Sequence, residues 1–221
     1  MKKMVILSGL FLLLSFSLSA ELLAEGNSNN SITLLIDNDN ETILEYRISE
    51  FEKNKITIEG EDWYQIRLPK EGITQDKGFP ELPVLNRSII IPDQALMAIE
   101  VLDIEFKDYP IKVAPSKGVI TRDIDPAKVP YTFGNVYQEP FYYPNTIANL
   151  SEPYILRDFR GITVLTNPFA YNPVTGILRV YTYFKVRVYN KGTDRINTFN
   201  RSRISISRSF YTLYENHFLN W

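Results

Sequence analysis

Cysteine is absent from all 221 residues, and histidine occurs once, at His217. The first absence removes thiolate nucleophiles, thiolate metal ligands and any disulfide framework. The second removes multi-histidine metal sites, and no local motif marks partners for a serine triad resting on His217. The bland reading of that residue, a partly exposed polar side chain near the chain end, is the expectation. A strong excess of charge is also lacking: 24 basic against 26 acidic residues give a net charge of −2. That balance is too mild to point to a nucleic-acid or membrane-surface partner, and neither is expected. No phosphate-cradling glycine loop and no paired-carboxylate motif is visible, so no cofactor and no metal is expected. The run Asp37-Asn38-Asp39-Asn40-Glu41 has the alternating oxygen ligands that open a calcium loop. Thr42 stands where the turn glycine belongs and Ile48 where the bidentate Glu belongs, so a solvated turn is expected.

The one long apolar run is at the start. Residues 1–20 read as an export signal, with Lys2 and Lys3 as the charged start, apolar residues through Leu18, and small residues Ser17, Ser19 and Ala20 for cleavage between Ser19 and Ala24. The run is shorter than the roughly 20 residues of a spanning helix, which favours cleavage over anchoring. Loss of the two lysines takes the charge from −2 to −4. The expected location is secreted, periplasmic or at the cell surface. Residues 21–31 form a Gly, Asn and Ser-rich leader, 32–195 the folded domain, and 196–221 a linker.

What fills the folded part is β-sequence. Segments 32–36, 42–48, 55–58, 63–68, 84–91 and 96–106 are rich in Ile, Val, Tyr, Phe and Trp and are separated by turn residues. In 178–188 the residues Leu178, Val180, Thr182, Phe184, Val186 and Val188 alternate with Arg179, Tyr181, Tyr183, Lys185 and Arg187, which predicts one core face and one wet face. Residues 161–166 and the strand from Leu178 are expected to pair as a hairpin across the turn Asn172-Pro173-Val174-Thr175-Gly176. The fold class is therefore all-β, an antiparallel sandwich or jelly roll, with Phe210, Leu213, Tyr214 and Phe218 marking a short C-terminal helical or extended segment. Segments 70–83 and 114–134 carry too many Pro and Gly for a ladder. The second exceeds the ordinary loop length, a common sign of function.

The chain has 14 Tyr, 13 Phe and 2 Trp, most of which a sandwich uses for packing. The cluster Pro140-Phe141-Tyr142-Tyr143-Pro144 also fits a sugar-stacking platform, so a secreted glycan-binding or adhesive domain is the alternative function. Arg157 and Arg160 flank Asp158 and precede Gly161, an arrangement suited to a fixed ion pair at the start of a strand.

Five segments, GFPELPV from Gly78, IIIPD from Ile89, APSKG from Ala114, ILRDFRG from Ile155 and PFAYNPVTGILRVY from Pro168, together resemble the propeptide of gingipain-type cysteine peptidases. The likeness runs from about Ile32 to the last residues. It implies an exported zymogen whose N-terminal β-sandwich assists folding of a caspase-like catalytic domain and holds it inactive until cleavage. The partner it implies is that cognate catalytic domain, reached through the 196–221 linker. The peptidase's Cys and His are not in this sequence, so no catalytic residue is assigned.

An inhibitory propeptide needs a rigid scaffold and a protruding segment for the substrate cleft, and 114–134 is the candidate. For members that prefer basic residues at the cut, the resemblance implies a pocket-filling cation, with Arg122 first, then Lys128 and Lys117. Arg201, Arg203 and Arg208 are the candidates for maturation cleavage, and the cut beyond Trp221 stays open as well.

Overall fold

The computed structural model describes residues 30–202 and 206–221. The proposed signal, most of the leader and Arg203 lie outside the described residues.

The first hairpin joins β1 (Ser31–Asp37) to β2 (Glu41–Arg47) through the DNDNE turn, where Asn38 Oδ1 accepts from the amides of Asn40 and Glu41 at 2.9 and 3.1 Å. A second, separate hairpin follows, β3 (Glu52–Ile58) with β4 (Glu61–Arg67). The short β5 (Gly72–Ile73) leads to β6 (Pro83–Ile90) and the long β7 (Ala95–Pro110). After the 114–134 loop come β8 (Ala148–Leu150), β9 (Tyr154–Leu156), β10 (Phe159–Thr166), β11 (Phe169–Asn172) and β12 (Ile177–Thr193). One helix, α1 (Tyr211–His217), closes the chain.

β12 is the spine of the first sheet. One edge pairs with β7 over its length, and the other is divided between β11 at Ile177–Val180 and β2 at Tyr183–Tyr189, with β1 outside β2. In the second sheet β10 pairs with β6 on one edge and with β8 and β9 on the other. All these pairings are antiparallel, and the two sheets bury their apolar faces against each other as a β-sandwich.

The alternation in β12 turns Leu178, Val180, Phe184, Val186 and Val188 inward, all buried. Their partners across the layer are Leu85 and Ile89 of β6 and Ile162 and Val164 of β10. On the wet face Arg179 pairs with Asp108, Lys185 with Asp103, and Arg187 with Glu41 and Glu100, which ties β12 to the strands on either side of it.

The hairpin expected from 161–166 is replaced by another. Asn167 and Pro168 end β10, the chain crosses to the other sheet, and the Asn172 to Gly176 turn joins β11 to β12 instead. Proline supplies no N–H to continue a ladder, which makes the break there natural. β11 escaped the sequence reading because all four of its residues are buried, which erases the alternation that marks a one-sided strand.

The segment expected within a linker is docked on the second sheet. Phe218 bridges Ser88, Leu219 N donates to Ser88 O at 2.9 Å, and the Asn220 amide bonds both the N–H and the C=O of Ile90 at 2.7 and 3.0 Å. These residues lie along the edge of β6 opposite β10, beyond its short pairing with β5, while Tyr214 and Phe218 pack with Phe159 in a small apolar cluster.

Candidate functional site

Gly78 anchors both ends of the 114–134 loop. Its N–H donates to Ser116 O at 2.9 Å, and its own C=O accepts from Gly134 N–H at 2.8 Å. Gly78 has φ +82°, and a Cβ on Gly134 would sit 2.9 Å from Gly78 O, so both positions require glycine. Around this clasp, Ser116 N donates to Phe79 O at 2.7 Å, and Tyr137 Oη donates to Val113 O at 2.9 Å. Trp63 of β4 packs on Phe133 with ring centroids 4.8 Å apart. Glu81, which is ion-paired with Arg67, and Tyr131 line a cleft of about 290 Å³ beside the base of the loop.

Beyond the clasp the chain forms an exposed arm. Thr121 to Lys128 are all exposed. A turn closes where Ile124 N donates to Thr121 O at 3.1 Å, and it carries Arg122 at its second position. The Thr121 hydroxyl holds the Asp123 carboxyl below the usual aspartate range. Asp125 Oδ1 then caps the 3-10 turn Pro126–Lys128 by accepting from Ala127 N at 2.9 Å.

The three basic candidates have different places on this arm. Lys117 is engaged internally: its Nζ donates to Pro126 O at 2.8 Å and lies 4.3 Å from the Tyr131 ring centroid, pinning one limb of the arm to the other. Arg122 makes no hydrogen bond or ion pair with any other described residue and stands exposed on its turn. Lys128 is also exposed at the end of the 3-10 turn, its ammonium without a partner among the described residues.

The cleavage candidates also separate. Arg201 is half-buried and bidentate to Asp93 at 2.8 and 3.0 Å, with a further bond to Asp158 O at 2.6 Å. Arg208 is exposed and opens the 3-10 turn before α1.

Arg160 is fully buried, but its ion-pair partner is Asp194 at 2.6 Å rather than Asp158. Its guanidinium also donates to the carbonyls of Pro92, Ala95, Ile196 and Asn197. The Asp158 carboxylate instead accepts from Tyr214 Oη, and Arg157 stacks 3.5 Å from the Phe210 ring centroid. Asp158 and Arg157 thus face the C-terminal segment. His217 joins the same contact through Tyr154 Oη at 2.7 Å.

The sugar platform of the alternative function is largely occupied by the protein itself. Tyr142 faces the Arg179 guanidinium at 4.3 Å, Tyr143 donates to Asp76 at 3.0 Å and packs on Phe79, and Phe141 alone of the three aromatics is exposed.

Comparison with known proteins agrees with the geometry. The family model Propeptide_C25 matches residues 23–218. A Gingipain R2 of Porphyromonas gingivalis is 36% identical over 202 residues, covering 90% of this chain and 27% of that protein. Lys-gingipain of the same organism is 23% identical over 177 residues, covering 77% and 10%. The chain thus spans about a quarter or less of the length of these curated relatives. Among solved structures, a complex of the Porphyromonas gingivalis RgpB pro- and mature domains superposes with a TM-score of 0.77 at 31% identity, covering 86% of this chain and 97% of that one. A gingipain K structure described as an insight into zymogenic latency shares the fold, with a TM-score of 0.63 at 20% identity over 77% of this chain and 96% of that one. The chain belongs to the Propeptide_C25 family and is a gingipain-type propeptide.

Proposed function

We propose that this chain is the inhibitor and folding assistant of a gingipain-type cysteine peptidase domain, and that the arm beyond Gly78 is its inhibitory element. The observation that carries the reading is Arg122, a cation on an exposed turn that makes no hydrogen bond or ion pair with any other described residue. A guanidinium so placed can enter a pocket and meet a carboxylate through two parallel hydrogen bonds, without first breaking an internal contact. Lys128 is the second basic group the arm presents, while Lys117 serves the arm's shape. Because the base is fixed, little chain entropy is lost when the arm is occluded, which favours tight binding.

Export through the 1–20 signal would bring the domain to the compartment where such a peptidase works. Of the two described cleavage candidates, Arg208 is the more accessible, since a cut after Arg201 would first have to undo its pairing with Asp93. A cut at Arg208 leaves the remainder docked through Tyr214, Phe218 and Asn220, so cleavage there nicks the domain without dismantling it.

The test is titration of the purified chain into an active Arg-specific gingipain-type peptidase from the same source. Inhibition at micromolar concentration or below is expected, and Arg122→Ala weakens it by about hundredfold, the scale of an interfacial arginine hot spot. Lys117→Ala disturbs the arm and weakens inhibition less. Equal inhibition by the wild type and Arg122→Ala removes Arg122 from the mechanism.

A further inference from the structure

We infer that β7 is a self-complementary edge through which two copies of this chain join their first sheets. Among the described residues β7 pairs with β12 alone, so its outer edge presents unpaired backbone groups. The part from Leu102 to Asp108 is exposed at every residue, and it includes Leu102 at 45%, Ile104 at 47% and Phe106 at 49% exposure. An apolar, open strand edge of this kind is a template for another strand.

The charges on that run indicate which strand. Asp103 is bound to Lys185 at 3.1 Å and Asp108 to Arg179 at 2.8 Å. The side chains of Glu105 and Lys107 have no hydrogen-bond or ion-pair partner among the described residues, and they are two positions apart on one face of the strand.

In an isologous antiparallel pair with its two-fold axis at Phe106, residues equally distant from Phe106 face each other. Glu105 of each copy then lies opposite Lys107 of the other, which makes two ion pairs, and the two Phe106 rings meet at the centre. Other axes along the run are worse. One at Ile104 sets Asp103 against Glu105, and axes at Asp103, Glu105, Lys107 or Asp108 set a like charge against itself. At Phe106 no like charges face each other between Ile104 and Asp108, over which every β7 residue has a ladder partner on β12. The Arg179 guanidinium, 3.8 Å from the Phe106 ring centroid, already neutralises Asp108 where it would face Ile104 of the other copy.

A lysine on an exposed strand also serves elsewhere as a guard against pairing, and charge exchange separates the two roles. Sedimentation velocity of the purified chain is expected to show a dimer in the micromolar range. Lys107→Glu and Glu105→Lys each convert two attractive pairs into repulsive ones and weaken the dimer about tenfold or more. Mixing these two variants restores association as a heterodimer, and the double exchange restores the homodimer. Both positions are exposed, so circular dichroism is expected to report an unchanged fold. A wild-type chain that stays monomeric at about 100 μM, or single variants that dimerise as the wild type does, overturns the proposal.

Discussion

Arg160 ties the carboxylate of Asp194 and four carbonyls into one buried knot between the start of β7 and the end of β12. Desolvating a guanidinium is costly, but once it is buried every one of its partners depends on it. The Asp194 carboxyl is held below its ordinary range by the Ile196 amide first, then the Arg195 amide, and then this arginine. Arg160→Ala leaves a carboxylate and several carbonyls unsatisfied and is expected to cost about 3–5 kcal/mol, read from the urea midpoint. Arg160→Lys recovers only part, since one ammonium cannot reach the same fork of acceptors. The sequence marks Arg160 as structural through its place before Gly161. It cannot reveal Asp194 as the partner, because that contact spans 34 positions and depends on where β12 ends.

Gly161 has a steric role at the scale of elements. A Cβ there would lie 2.7 Å from Phe218 and 2.8 Å from the Tyr154 ring, so the bare backbone of β10 is what lets the C-terminal segment sit down. Gly161→Val is expected to expel that segment. The cluster of Tyr214, Phe218 and Trp221 would open, seen as a red shift in tryptophan emission and faster proteolysis near Arg208, while the far-UV spectrum of the sheets changes little. The arm allows a parallel test: Gly134→Ala crowds Gly78 O at the clasp and is expected to weaken peptidase inhibition by about tenfold with a stability loss of about 1–3 kcal/mol. Alternation and turn residues make β1, β2, β6, β7 and β12 readable, and the Pro and Gly density marks the arm. β11 and the docking of the C-terminal segment are hidden, the first by its burial on all sides and the second because its contacts lie with Ser88 and Ile90, far away in the chain.

At the scale of the whole molecule, the proposed function makes the sandwich a support for the arm. The two sheets share one apolar core, and the Gly78 clasp joins the two ends of the 114–134 loop at the base of the arm, next to Trp63 of β4. On the proposed function, the turns and aromatics around the clasp serve to hold the base of the arm, which gives a chain without a thiol a use for them. The central claim, that the arm occupies a peptidase's substrate cleft, is tested most directly by measuring the affinity of the chain for the peptidase before and after the cleft is filled by a covalent active-site inhibitor. The account predicts that filling the cleft weakens binding by about hundredfold. Unchanged affinity would contradict it and would place the contact elsewhere on the domain.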